Sequence, residues 1–115
     1  MHGCVGLYQG RAVPGRILFE WLRQNRSVPK LQDIYGLTEC YGPEIGIPCP
    51  DEEGIHIFDD YVYIESLDPA TGLPVLEGEL GEVTLTTFVK EGIPLFRFRT
   101  HDLAAFVPGQ CKCGN

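Results

Sequence analysis

GEVTLTTFV, residues 81–89, places Val83, Leu85, Thr87 and Val89 on one side of an extended chain. That period-two alternation is the pattern of a strand with one face on a core. The segment before it, Tyr61 to Leu67 (YVYIESL), alternates in the same way and closes on Asp68-Pro69-Ala70-Thr71-Gly72, residues that favour a tight turn. After it, Leu95 to Arg99 and Leu103 to Val107 read as two further strands on either side of Thr100-His101-Asp102. The second half of the chain is therefore a meander of antiparallel strands able to curl into a small barrel or distorted sheet.

Working back towards the start, Gly54 to Phe58 is another short strand. Gly42 to Gly54 (GPEIGIPCPDEEG) is so rich in Pro, Gly and acid that an ordered loop is expected. Leu31 to Tyr35 (LQDIY) reads as a strand entering a turn at Gly36. Pro14 to Asn25 (PGRILFEWLRQN) sets Ile17, Leu18, Trp21 and Leu22 at helical spacing behind a proline suited to a first turn, which predicts one amphipathic helix. The fold class is α+β: a short N-terminal helix, then a mainly antiparallel β meander or distorted small barrel.

The chain has 115 residues, 43% of them hydrophobic and 22% charged, room for one ordinary core. Its net charge of -7 is unevenly placed, with five Lys/Arg against one acid in residues 1–30 and four against fifteen in residues 31–115. A surface that acidic repels phosphate backbones, so nucleic acid is not an expected partner. No run approaches the ~18 apolar residues that span a bilayer, so no membrane partner is expected. The first ten residues lack a secretory pattern, which leads us to expect a cytoplasmic protein. Five cysteines, an odd number, argue against a disulfide framework and turn attention to metal.

Three segments resemble the adenylate-forming enzymes, in particular the phenylacetate-CoA ligase branch. Asp33-Ile34-Tyr35-Gly36-Leu37-Thr38-Glu39 resembles that superfamily's Tyr-Gly-x-Thr-Glu motif. Gly78-Glu79-Leu80-Gly81-Glu82, with Thr86-Thr87 and Lys90-Glu91-Gly92-Ile93-Pro94, is similar to the branch's Thr-Lys-Glu-x-x-Pro signature. Phe96-Arg97-Phe98-Arg99-Thr100-His101-Asp102-Leu103 resembles its Arg-Tyr-Arg-Thr-x-Asp motif. The resemblance covers residues 31–115, in family order and spacing, and implies a partial AMP-binding domain with a barrel-like subdomain within the enzyme's large domain. Residues 1–30 match poorly and form a separate N-terminal helical segment in this reading.

The resemblance implies an acid-thiol ligase that couples an aromatic carboxylic acid to ATP as an acyl-adenylate and then to CoA as a thioester. Glu39, a hard oxygen donor, is then the Mg²⁺ ligand, and Thr38 offers its hydroxyl to the α-phosphate. Tyr35 offers a ring on which adenine can stack, Gly36 a close backbone approach, and Asp33 a contact on the adenine side. Asp102 has the two acceptor oxygens suited to both ribose hydroxyls. Outside this context the same residues read otherwise: Tyr35 as a core aromatic, Glu39 as a solvated acid, Asp102 as a turn residue. Arg97 and Arg99 are expected to pair with local acids.

Cys49, His56, Cys111 and Cys113 make up a tetrahedral zinc set, Cys-x6-His plus Cys-x-Cys on a Pro108-Gly109 turn. Similar Cys and His positions in some phenylacetate-CoA-ligase-like proteins point the same way, and zinc here is structural. The alternative is a loop thiol at Cys49 and reduced, exposed Cys111 and Cys113. Cys40 reads as a small buried hydrophobe and Cys4 as a terminal thiol.

A Gly-rich phosphate loop, a hinge arginine and a catalytic lysine domain, which the family resemblance also implies, are not among these residues. The chain alone is thus expected to bind nucleotide weakly and to turn over nothing. The other open reading is a non-catalytic nucleotide- or zinc-binding module. Unpaired strand edges predict self-association, with a homodimer the simplest form.

Overall fold

A computed structural model of the chain describes residues 4–6, 21–22, 24–25, 34–50 and 54–113. Seven strands run through them: β1 (Cys4–Gly6), β2 (Tyr35–Leu37), β3 (Gly42–Pro48), β4 (Ile55–Ile57), β5 (Val62–Leu67), β6 (Gly81–Thr87) and β7 (Phe98–Phe106). Their order across the sheet is β2-β3-β4-β1-β7-β6-β5, with every neighbouring pair antiparallel. The expected meander is present as β5-β6-β7. A second three-stranded run, β2-β3-β4, is joined to it through β1. The order is open, with β2 and β5 at its edges, rather than a closed barrel.

The expected helix over Pro14 to Asn25 is not supported. Most of it lies outside the described residues; Trp21, Leu22 and Gln24 have helical backbone, too few to establish the element, and Trp21 is 58% exposed instead of covered by a core. The short strand β1 lies in the poorly matching residues 1–30, ahead of the expected helix, and pairs on both sides: Val5 is opposite Ile55 on one and Phe106 on the other. No helix among the described residues is long and apolar enough to cross a membrane.

The loop expected over Gly42 to Gly54 is a second correction. Residues 42–48 form β3, paired to β2 and to β4, with Gly46 opposite Ile57 and Pro48 opposite Ile55. Its Gly46 answers a close approach. A Cβ there would lie 2.6 Å from Ile55 Cγ2 and 2.9 Å from the His56 carbonyl, so glycine is what lets β3 and β4 meet. The strand expected over Leu31 to Tyr35 shifts as well: residues 31–33 lie outside the described residues, and β2 begins at Tyr35 and continues through Gly36 to Leu37.

The two strands expected on either side of Thr100-His101-Asp102 are one strand, β7, with a bulge inside it. Glu82 pairs with Leu103 and Thr84 with Arg99, so β6 spends two residues where β7 spends four. His101 takes up the difference in the left-handed region, at φ 64°, an uncommon conformation for a residue with a side chain. The shared core lies between the two runs of strands. Ile45 and Ile55 from β3 and β4 pack with Val62, Val83, Leu85 and Ala104 from β5, β6 and β7, and Leu85 is 0% exposed. Strand β6 is buried along almost its whole length on both faces, against the one-sided burial its alternation suggests, and Val89 lies beyond its end.

Where β6 begins, Gly81 is pressed against β5. An added Cβ would meet Ser66 Oγ, Val75 Cγ2 at 2.9 Å and the Leu67 backbone nitrogen at 3.0 Å. Replacing Gly81 by Ala should therefore cost about 1–3 kcal/mol in urea unfolding, the usual scale of forced overpacking. Gly92→Ala, where nothing lies within 4 Å of the new methyl, should be near neutral. Equal effects of the two changes would refute the close β5–β6 approach.

Candidate functional site

Strand β2 and the bulge of β7 bring two distant motifs into contact. The Tyr35 hydroxyl donates to Asp102 Oδ2 at 2.8 Å and lies 3.5 Å from Thr100 Oγ1. Thr100 Oγ1 donates to the Val83 carbonyl at 3.0 Å and accepts from the Asp102 amide at 3.1 Å, which sets the carboxylate's direction. The Tyr35 ring belongs to the core and is 2% exposed. Burial first, and then the neighbouring carboxylate, push its phenol well above the ordinary tyrosine range, so it remains a proton donor to Asp102. The ring expected to stack on adenine is thus enclosed by protein here, and its polar end orients Asp102.

Beside Asp102, the bulge carries a second polar cluster. Arg99 Nε donates to Glu82 Oε2 at 2.8 Å, its Nη2 reaches the same oxygen, and Nη2 also donates to the Pro69 carbonyl at 2.9 Å. His101 Nδ1 lies 2.9 Å from Glu82 Oε1, an ion pair whenever the ring is protonated. The Glu82 side chain is 3% exposed while that of Arg99 is 48% exposed, so the guanidinium caps a buried acid from the solvent side. Arg97 makes a two-bond pair with Glu65 at 3.1 and 3.2 Å. Both arginines are thus paired with local acids, as their strand positions suggested.

Thr38 and Glu39 are exposed at the corner between β2 and β3, where the Cys40 amide donates back to the Leu37 carbonyl at 3.0 Å. Cys40 is buried beneath this corner, and burial raises its thiol pKa. Gly36 is half-buried within β2, and Asp33 lies outside the described residues. One residue that sequence reasoning assigned no role also meets this corner: Lys90 Nζ donates to the carbonyls of Glu39 and Cys40. Its only signal in the sequence was its place in the Lys90-Glu91-Gly92-Ile93-Pro94 segment.

At the other end of β3 the four metal-type side chains converge. Cys49 follows β3, His56 is in β4, and Cys111 and Cys113 follow β7. The sulfurs of Cys49 and Cys111 are 3.4 Å apart and those of Cys111 and Cys113 are 3.3 Å apart. His56 Nε2 lies 3.1 Å from Cys113 Sγ and 3.7 Å from Cys111 Sγ. All four donor atoms lie within 4.8 Å of one another, and only Cys113 is more than slightly exposed. Zinc–sulfur bonds of about 2.3 Å at tetrahedral angles put sulfurs about 3.8 Å apart, so the donors fit such an ion after a small outward adjustment. His56 owes its position to the ladder, which sets it opposite Ile47 of β3 and Cys4 of β1.

The chain is 41% identical over 81 residues to a phenylacetate-coenzyme A ligase of Pseudomonas putida and, over the same length, to one of Escherichia coli. It is 42% identical over 86 residues to a phenylacetate-coenzyme A ligase of Thermus thermophilus. These matches take in 70–74% of this chain and 18–19% of each relative, so the chain spans less than a fifth of their length. No protein-family model matches it.

The Glu82–Arg99 pair gives the fold an acid dependence of definite sign. Hydrogen bonding to Arg99 holds the Glu82 carboxyl below its usual range despite burial. A depressed carboxylate contributes stability that is fully present above its unfolded pKa, about 4.3, and is lost as pH falls through the folded value. Urea unfolding from pH 6 downwards should show a steeper loss below about pH 4.3 in the native sequence than in Arg99→Gln. Parallel profiles would rule out this pair as the source.

Proposed function

We propose that this chain, which over its matched residues belongs to the phenylacetate-CoA ligase family, supplies part of the nucleotide and cation site of a ligase. That enzyme would activate an aromatic carboxylic acid with ATP as an acyl-adenylate and pass it to coenzyme A. The observation that carries the reading is the 2.8 Å bond between Tyr35 and Asp102, which joins two motifs 67 residues apart in sequence. In this reading Asp102, steered by Tyr35 and Thr100, accepts hydrogen bonds from the ribose hydroxyls, a task for a carboxylate with two acceptor oxygens. Thr38 faces the α-phosphate, Glu39 is the oxygen ligand for Mg²⁺, and Gly36 and Asp33 border the base. Bound Mg²⁺ supplies charge neutralisation on the phosphates.

The exposed Thr38–Glu39 corner suits a hard cation that keeps water and phosphate among its ligands. The largely buried Cys49, His56, Cys111 and Cys113 set suits structural zinc, which would tie the end of β3 and β4 to the segment after β7. Thiolate and imidazole donors on one side and a lone carboxylate on the other separate the two metals by ligand softness.

For the nucleotide reading, the 115-residue chain should bind AMP weakly in a calorimetric or fluorescence titration. Asp102→Asn, which keeps an acceptor for Tyr35, should weaken that binding about tenfold, the scale of one charge-assisted hydrogen bond. Equal binding by the two proteins would remove Asp102 from the site. For the metal reading, elemental analysis should find one zinc per chain. A strong chelator or Cys111→Ser should then lower Tm by more than roughly 4–8 °C, the shift that about 1 kcal/mol makes in a domain of this size. Zinc-free protein with an unchanged melt would return the cysteines to ordinary buried thiols.

A further inference from the structure

We infer that Lys90 is a positioning residue that fixes the Thr38–Glu39 corner, an inference that rests on the reading of Glu39 as a cation ligand. The corner is a four-residue turn from Leu37 to Cys40, closed by the 3.0 Å bond from the Cys40 amide to the Leu37 carbonyl. Thr38 and Glu39 occupy its two central positions, so their side chains can be aimed only as well as the peptide planes on either side of them are held. A turn of this kind spends its backbone bonding on the closing contact and leaves the carbonyls after its second central residue pointing outwards. Lys90 meets that need, since its ammonium donates to the carbonyls of Glu39 and Cys40 together.

An exposed lysine normally gains nothing from a fixed pose, because holding its long side chain sacrifices rotamer entropy. Here its backbone is anchored from two directions. The Phe88 amide donates to the Tyr61 carbonyl at 2.9 Å, and the Val89 amide donates to the Tyr41 hydroxyl at 3.1 Å. The Tyr41 and Tyr61 rings pack edge to face with centroids 5.7 Å apart, which ties the corner's following residue to the strand entering β5. The segment after β6 is thereby held beside the turn, and Lys90, half-buried, crosses a separation of 50 residues in sequence to lock it.

A lysine also carries charge, which by itself would draw in a nucleotide phosphate, and the test has to separate charge from geometry. The first readout needs no ligand. Amide hydrogen exchange at Cys40 should speed up by about tenfold or more in Lys90→Met, the scale of one lost charge-assisted hydrogen bond, and be slowed again in Lys90→Arg. Amides of β5 and β6 serve as the control for intact folding and should exchange as in the native chain.

The second readout is Mn²⁺·ATP binding, followed by paramagnetic broadening at the corner. Affinity should fall about tenfold in Lys90→Met and recover in Lys90→Arg. An unchanged Cys40 exchange rate in Lys90→Met overturns the clamp whatever the nucleotide does. Faster exchange with unaltered Mn²⁺·ATP affinity overturns the positioning role while leaving the site. Glu39→Gln binding Mn²⁺·ATP like the native chain sinks the reading of the corner itself, and the inference with it.

Discussion

The polar architecture depends on the bulge in β7. A regular ladder continued from the Glu82–Leu103 pair would have set His101 opposite Thr84 and carried Arg99 on to Thr86, away from Glu82. Because β7 spends four residues against two of β6, Arg99 and His101 both meet Glu82, and Asp102 still reaches Tyr35. The left-handed conformation at His101 is the local cost, one to be offset by its contact with the buried carboxylate. Burying Glu82 without Arg99 would leave an uncompensated charge in the sheet, so the ion pair and the bulge stand or fall together.

Strand β1 plays the matching part for the apolar architecture. The runs β2-β3-β4 and β5-β6-β7 each have a face to cover, and neither is large enough to do so alone. With β1 between β4 and β7 they share one core of Ile45, Ile55, Val62, Val83 and Leu85. The cysteine and histidine cluster lies at the end of this arrangement, where the exits of β3 and β7 come together around β4. A metal held there would restrain strand exits that have little core beneath them, since among the described residues the apolar neighbours of Cys49 and Cys111 are Val107 and Cys113.

Much of the strand pattern could be read directly. The alternation in Tyr61 to Leu67 and Gly81 to Val89 gave β5 and β6 to within two residues, and the donor set of Cys49, His56, Cys111 and Cys113 was recognisable by residue type. Reading failed where a residue's reason was tertiary. Gly46 looked like a chain breaker because glycine in a loop and glycine under a neighbouring strand are the same letter. Thr100-His101-Asp102 looked like a gap between strands because a bulge interrupts the period as a turn does. Lys90 had no legible role because its acceptors are backbone carbonyls, which every residue possesses.

By itself the sequence determined the extended course of β5 and β6, which side chains offer thiol and imidazole donors, and the kinship with phenylacetate-CoA ligases. These follow from local periodicity and residue type, properties that a short window contains in full. Only the tertiary structure decided that β1 joins the two runs, that Tyr35 is enclosed and orients Asp102, and that four separated thiol and imidazole groups converge. Each of those outcomes is a contact between residues some 50 or more positions apart, and its energy exists only once the chain has folded back on itself.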